Sequence, residues 1–319
     1  MRVVVTGGAG FIGSHLCEML LARGHSVLSV DNLITGNEDN LAPMKNHANF
    51  AFVRHDVTRP LEAEADMIFH LASPASPPGY LSYPVQTSLA NSVGTYNLLE
   101  LARCQGAKFL LASTSEAYGD PEEHPQREEY WGHVNPVGIR SCYDESKRFA
   151  ESLTMTYVRQ FDLDGRIVRI FNTYGPRSDP QDGRVVPNFV VQALTDEPIT
   201  VYGTGSQTRS FCYVSDLVEG ILRAMECEGT KGEVINLGMP DERTILDLAN
   251  LVKRIAGAKS PIVFRAPISD DDPRRRCPDI TRARRMLGWQ PQVELEEGLR
   301  HTIAWFSTHI ASRAGRRQE

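Results

Sequence analysis

Short apolar runs alternate with longer segments in which apolar residues recur every three or four positions. Residues 3–6, 27–30, 50–54, 67–71, 109–112 and 166–170 read as buried strands, and 11–23, 86–104 and 143–161 as amphipathic helices. Short apolar strands separated by helices predict a parallel, doubly wound α/β sheet. Beyond Phe171 the rhythm changes. Gly and Pro become frequent (YGPRSDPQDGR), and the pattern predicts helices over 187–195, 215–226, 245–255, 280–287 and 295–306 with one strand at 234–237. The expected organisation is one unit over 1–171, to which 205–240 returns, and a smaller C-terminal α/β substrate lobe over 172–204 and 241–319. That lobe should fold across the carboxyl edge of the sheet, where open α/β sheets bind ligands. The tail SRAGRRQE is expected to be frayed.

Composition narrows the function. The 319 residues are 41% hydrophobic with a net charge of −6, which gives no overall basic field for nucleic acid. Only six of the 34 basic residues are Lys, so an anionic ligand would have to be met by local arginines. Cysteines 17, 104, 142, 212, 227 and 277 are scattered, without metal-ligand spacing or a disulfide framework, which predicts no metal site and a reducing compartment. No apolar run approaches the roughly 20 residues of a membrane span, and the sequence opens directly into a strand. The expectation is a cytoplasmic protein without membrane or nucleic-acid partners.

Gly7-Gly8-Ala9-Gly10-Phe11-Ile12-Gly13 joins the first strand to the first helix with GxxGxxG spacing. Glycines there let the backbone approach a pyrophosphate that rests on the helix N-terminus beside Phe11 and Ile12. A glycine turn alone is equally a tight structural junction. Here Asp31 closes the second strand 18 residues after Gly13, next to Asn32, close to the spacing of an acid that bonds the adenosine ribose. Its charge would repel a 2′-phosphate, so the predicted cofactor is NAD in a Rossmann-type site. Asp56 and Val57 are expected beside the adenine, and Leu71, Ala72 and Ser73 along the cofactor.

Tyr143 and Lys147 form YxxxK at the start of a helix, which places both on one face. A neighbouring ammonium favours the phenolate, so the pair predicts a tyrosine of lowered pKa acting as a base. Thr114, Ser115 and Glu116 follow the fifth strand, where a hydroxyl could bond a substrate oxygen.

GxxGxxG, STSEAYG, YxxxK and RIFNTYGPR together resemble the extended short-chain dehydrogenase/reductase family of nucleotide-sugar epimerases, dehydratases and decarboxylases. The likeness runs along essentially the whole chain. HLASPASPP, STSEAYGDPEEHPQ, YWGHVNPVG, DGRVVPNFVVQAL, VYGTGSQTRSFCYVSDLV and DDPRRRCPDI are similar to the UDP-glucuronate decarboxylase branch. The resemblance implies oxidation at the sugar C4 by Tyr143 and NAD, loss of carbon dioxide from the resulting β-keto acid, and re-reduction to UDP-xylose. It implies that Thr114 and Ser115 bond the C4 oxygen or carboxylate and that Glu116 is an acid/base or water-positioning group. It also implies that Asn172, Arg184, Asn188, Tyr202, Gln207, Arg209 and Arg276 gather around the UDP, and that the protein is a homodimer paired through the helices at 86–104 and 143–161. The chain departs from the family at Leu89, where the family usually has Lys. Two alternatives share the motifs: a UDP-glucuronate 4-epimerase or other nucleotide-sugar enzyme, and a non-catalytic NAD-binding sensor.

Overall fold

The computed structural model describes residues 1–266 and 275–316, with side chains described through residue 310. Seven strands make one parallel sheet: β1 (Arg2–Thr6), β2 (Ser26–Asp31), β3 (Phe50–Arg54), β4 (Met67–His70), β5 (Lys108–Thr114), β6 (Gly165–Ile170) and β7 (Val234–Leu237). Their order is β7-β6-β5-β4-β1-β2-β3. β1 pairs with both β2 and β4, so the connections run outward in opposite directions from this junction. A crevice opens there at the carboxyl ends, as this topology requires.

Two cores flank the sheet. On one face α1 (Phe11–Ala22) contributes Leu16, Cys17 and Leu20, packed with Leu217, Ile221 and Leu222 of the helix Val214–Glu226. Ala283, Leu287 and Trp289 close the same core. On the other face Leu98, Leu99 and Ala102 pack with Ala150 and Tyr157. A third core, with Val186, Phe189, Val201, Leu248 and Phe306, joins the helices Val185–Leu194, Ile245–Ala256 and Leu295–Arg316 to the short parallel strands Ile199–Tyr202 and Ile262–Arg265.

The central strands and most helices fall within two residues of the predicted spans. Beyond Phe171 the short strands Ile199–Tyr202, Thr208–Ser210, Glu242–Thr244 and Ile262–Arg265 were not predicted, and three further segments differ. The expected helix over 86–104 starts at Pro84 and is broken by a π-helical turn, Ala90–Gly94, before resuming as Thr95–Gln105. A Cβ on Gly94 would come within 2.7 Å of a Val57 methyl, so the widened turn lies hard against the segment that follows β3. A short helix, Pro77–Ser82, was not predicted. It opens with Pro in its first turn and is capped by Ser76, whose Oγ accepts from the Gly79 N–H. The last helix runs on to Arg316, so most of the tail expected to fray is helical. Of the run Asp270-Asp271-Asp272 and Arg274-Arg275-Arg276, only Arg275 and Arg276 lie within the described residues.

Candidate active site

The crevice at the carboxyl ends holds a cavity of about 620 Å³, within the usual range for ligand sites. Its floor at one end is the glycine turn. Gly7 adopts a left-handed φ of +73°, and a Cβ there would stand 2.8 Å from the Ala72 nitrogen, so the backbone of the turn touches the chain leaving β4. Gly10 precedes α1 without a side-chain cap, which leaves the N–H groups of Phe11 and Ile12 at the cavity. Gly13 also lines it.

Asp31 is brought to the same place by β2. Its carboxylate accepts from the Ala9 N–H at 3.1 Å and the Leu33 N–H at 2.8 Å. Burial pushes its pKa up, and these two bonds oppose the rise. A Cβ on Gly36 would meet the Asp31 carboxylate at 2.8–2.9 Å, so only glycine lets the loop pass so close. Asn32 donates to Asp56 at 3.3 Å, and Asp56 is anchored by the Thr58 N–H and hydroxyl. Burial alone would raise Asp56; the Thr58 and Asn32 bonds outweigh it and leave it below its ordinary value. Val57, Leu71, Ala72 and Ser73 complete this wall. Behind it, His70 is buried between the hydroxyls of Thr6 (2.8 Å) and Thr95 (3.2 Å), and burial with the charge of Lys147 lowers it to about 3.

The helix Ser141–Phe161, hereafter α2, crosses behind β5 and delivers Tyr143 and Lys147. The Tyr143 ring stacks on Tyr80. Lys147 donates to the Ala112 carbonyl at 2.9 Å, with its ammonium 6.0 Å from the Tyr143 ring centre. The expected lowering of the tyrosine is not what the protein by itself produces. Burial raises Tyr143 to about 12, offset only partly by its hydrogen bond to Thr114. Lys147 is lowered to about 8, again by burial, against the pull of Glu151. The cost of burying charge exceeds the mutual effect of the pair.

Thr114 ends β5, and its hydroxyl accepts from the Glu116 N–H at 3.2 Å. Ser115 is buried beside it. Glu116 is clamped between Arg140 and Arg276, one guanidinium on each carboxylate oxygen. Burial would raise its pKa; Arg276, Arg140 and Arg209 override that and hold it below the usual carboxylate range. Asp144 lies nearby, with Arg140 3.9 Å away. Burial and repulsion from Glu116 push it up to about 7.

Of the residues expected around the nucleotide, Asn172, Arg184, Arg209 and Arg276 line the cavity. Arg184 donates to the Ala75 carbonyl at 2.7 Å, and Asn172 keeps a buried Nδ2 without a hydrogen-bond partner. Asn188, Tyr202 and Gln207 do not line it. Asn188 donates to the Gly183 carbonyl at 3.1 Å, and Gln207 donates to the Tyr202 carbonyl at 2.8 Å. Leu89 stands in the wall, 42% exposed. Sequence reasoning missed Tyr80, Arg140 and Asp144. Arg140 and Asp144 stand four residues apart on either side of Tyr143, and that i, i+4 spacing was the available signal. Among the described residues no group of His, Cys, Asp or Glu could hold a metal.

These features fit a dinucleotide followed by a second anionic ligand. Uncapped helix N–H groups and close-packed glycines suit a pyrophosphate, Asp31 suits a ribose, and Asn172 with three arginines lies at the far end.

Comparison with known proteins agrees. The model of the NAD dependent epimerase/dehydratase family matches residues 3–238. UDP-glucuronic acid decarboxylase 1 of Danio rerio is 52% identical over 98% of this chain and 74% of its own length. UDP-glucuronic acid decarboxylase 4 of Arabidopsis thaliana is 57% identical over 94% of this chain and 67% of its own length. Among solved structures, a UDP-glucuronic acid 4-epimerase from Bacillus cereus, in complex with UDP-glucuronic acid and NAD, superposes with a TM-score of 0.86. It is 29% identical, with 97% of this chain and all of that one covered.

Proposed function

Since the chain belongs to the NAD dependent epimerase/dehydratase family, we propose that it converts UDP-glucuronate to UDP-xylose and carbon dioxide, with NAD reused in each turnover. The observation that carries this reading is the 52–57% identity, over 94–98% of the chain, to proteins named UDP-glucuronic acid decarboxylase.

NAD supplies the hydride acceptor and donor at C4 of the sugar, and its oxidised ring brings positive charge to the site. The protein's own residues do the rest. Gly7, Gly10 and Gly13 with the N–H groups of Phe11 and Ile12 would hold the pyrophosphate, Asp31 and Asn32 the adenosine ribose, and Asp56 and Val57 the adenine. Tyr143 takes the proton of the 4-hydroxyl as C4 is oxidised, and Thr114 steadies the oxygen. With the tyrosine near 12 in the protein alone, the added positive charge favours the phenolate. The 4-keto product is a β-keto acid, so its carboxylate leaves as carbon dioxide while the electrons flow into the ketone. The enol is then protonated at C5 and the ketone reduced. Glu116, held ionised between Arg140 and Arg276, serves by ordering these arginines and a water; the buried pairs disfavour its taking a proton itself.

We read residues 1–171 with 205–240 as the NAD-binding unit, and 172–204 with 241–319 as the substrate lobe. A second copy completes the protein. Val85, Val93, Tyr96 and Phe149 are exposed on the paired helices and support a homodimer. Among the described residues no helix is long and apolar enough to cross a membrane, and all six cysteines are free, which supports a cytoplasmic site of action.

Incubation with UDP-glucuronate followed by mass analysis tests the reaction. A product lighter by one carbon dioxide, without net NADH, is expected. A product of unchanged mass would make the enzyme a 4-epimerase, the activity named for the Bacillus cereus neighbour.

A further inference from the structure

Lys147 is buried, and its ammonium cannot stay charged there without an opposite charge close by. One turn further along α2 stands Glu151, also buried and outside the cavity. Its carboxylate does not point at random. Oε1 accepts from the Ser113 hydroxyl at 2.5 Å and from Nε of Arg169 at 3.0 Å, and Oε2 accepts from Nη2 of Arg169 at 2.7 Å. Ser113 belongs to β5 and Arg169 to β6, so three elements converge on this one group. Arg169 is itself fixed: it donates to the Glu128 carbonyl at 3.2 Å and lies 4.7 Å over the Tyr118 ring. Tyr118 in turn donates to Asn236 of β7 at 2.8 Å.

We propose that Glu151 is a positioning residue for the reaction: its carboxylate, locked by Ser113 and Arg169, is the counter-charge that keeps Lys147 charged and aimed at Tyr143. The inference rests on the assignment of Tyr143 and Lys147 to the chemistry.

The charged and titratable groups facing Lys147 are few. β4 presents His70, which burial keeps neutral near pH 7. α2 presents Tyr143 and Glu151, and β6 contributes Arg169 behind Glu151. Burial lowers Lys147, and among the described residues Glu151 is the group whose charge raises it. Arg169, by sharing the carboxylate, moderates that pull, so its removal and the removal of Glu151 should act in opposite directions. A pair that served only to tie α2 to the sheet would lower stability in both variants without this reversal.

The test follows Lys147 directly and by turnover. Protein labelled with 13C in its six lysines is titrated by NMR, with the Lys147 signal assigned by its disappearance in Lys147→Met. Glu151→Gln should lower the Lys147 midpoint by about half a pH unit or more, as the loss of a nearby opposite charge does. Glu151→Asp should restore most of it, and Arg169→Gln should raise it. The alkaline limb of kcat for UDP-glucuronate should move in the same sense. A midpoint within a few tenths of wild type in folded Glu151→Gln, or a downward shift in Arg169→Gln, overturns the proposal. If Glu151→Gln does not fold, the Asp and Arg169 variants decide. A wild-type enzyme that leaves UDP-glucuronate unchanged, with the NMR shifts as expected, would instead remove the assigned reaction and leave the counter-charge standing.

Discussion

The rings of Tyr143 and Tyr80 lie face to face, with centroids 5.1 Å apart and planes 6° from parallel. Tyr80 is 2% exposed and sits on the short helix Pro77–Ser82, so the position of the proposed base depends on a segment outside the central sheet. Tyr143→Phe keeps the stack and removes the hydroxyl. Turnover should fall by roughly 10²–10⁴, the usual worth of a positioned acid–base group, with UDP affinity and melting temperature near wild type. Tyr80→Ala should lower both stability and turnover. Full activity of Tyr143→Phe in a product assay would exclude Tyr143 as the base.

Glu116 with Arg140 and Arg276 forms a buried cluster whose members need one another. Arg276→Met leaves Glu116 short of one partner and should cost about 3 kcal/mol, as when one member of a buried ion pair is removed. Because the Glu116 pKa is depressed in the folded state, its contribution is present above the ordinary Glu pKa and is lost as pH falls through the folded value. The gap between wild type and Glu116→Gln should therefore narrow toward low pH in urea unfolding. The same Gln variant should release carbon dioxide more slowly while binding UDP-glucuronate almost normally.

Asp144 gives the opposite dependence. Its pKa is raised to about 7, so its contribution is complete below about pH 4, the ordinary Asp value, and is lost as pH rises toward 7. Asp144→Asn should be stabilising at pH 8 relative to pH 5 by about 3 kcal/mol, since each tenfold change in proton affinity is worth about 1.4 kcal/mol. Denaturant curves at the two pH values check this. A pH-independent difference between variant and wild type would show that Asp144 titrates normally.

Asp31 accepts from two backbone N–H groups and has the Gly36 backbone pressed against it, so it cannot swing aside for a 2′-phosphate. NAD should bind far more tightly than NADP, and Gly36→Ala should weaken NAD by displacing the carboxylate. Calorimetric titration of the wild type with both nucleotides decides; equal affinities would contradict the role given to Asp31.

The exposed Tyr96 and Phe149 predict a dimer in solution. Phe149→Glu should shift light scattering to the monomer mass without loss of bound NAD. A monomeric wild type at micromolar concentration would leave that apolar face unexplained by self-association.

Features set by neighbours in sequence were readable before the structure was. GxxGxxG and YxxxK act through one turn and one helical turn, and the apolar runs give the seven strands of the central sheet to within two residues. Features set by contacts between distant segments were not. Tyr202 and Gln207 sit apart from the cavity because the strand Ile199–Tyr202 takes its place from its pairing with Ile262–Arg265, which no local pattern specifies. The carboxylate clamp joins residues 116, 140 and 276, so Arg276 reads as one more candidate phosphate ligand until Glu116 is seen on it. The Tyr143 pKa ran opposite to expectation because spacing reports a partner but not the depth of burial. A π-turn leaves no periodic signature, since a single added residue per turn is lost in an apolar stretch.

Arg276 also dictates when the site can exist during synthesis. Gln126 meets Cys277 and Asp279 through its backbone and side chain, so the stretch of chain after residue 275 seats itself on a loop made about 150 residues earlier. A ribosome that has released the first 240 residues has supplied every strand of the central sheet, yet the carboxylate at 116 still lacks one of its two arginines. The same late stretch carries Ala283, Leu287 and Trp289 into the core beneath α1, so the glycine turn and the carboxylate clamp are both completed by the last part of the chain to be made.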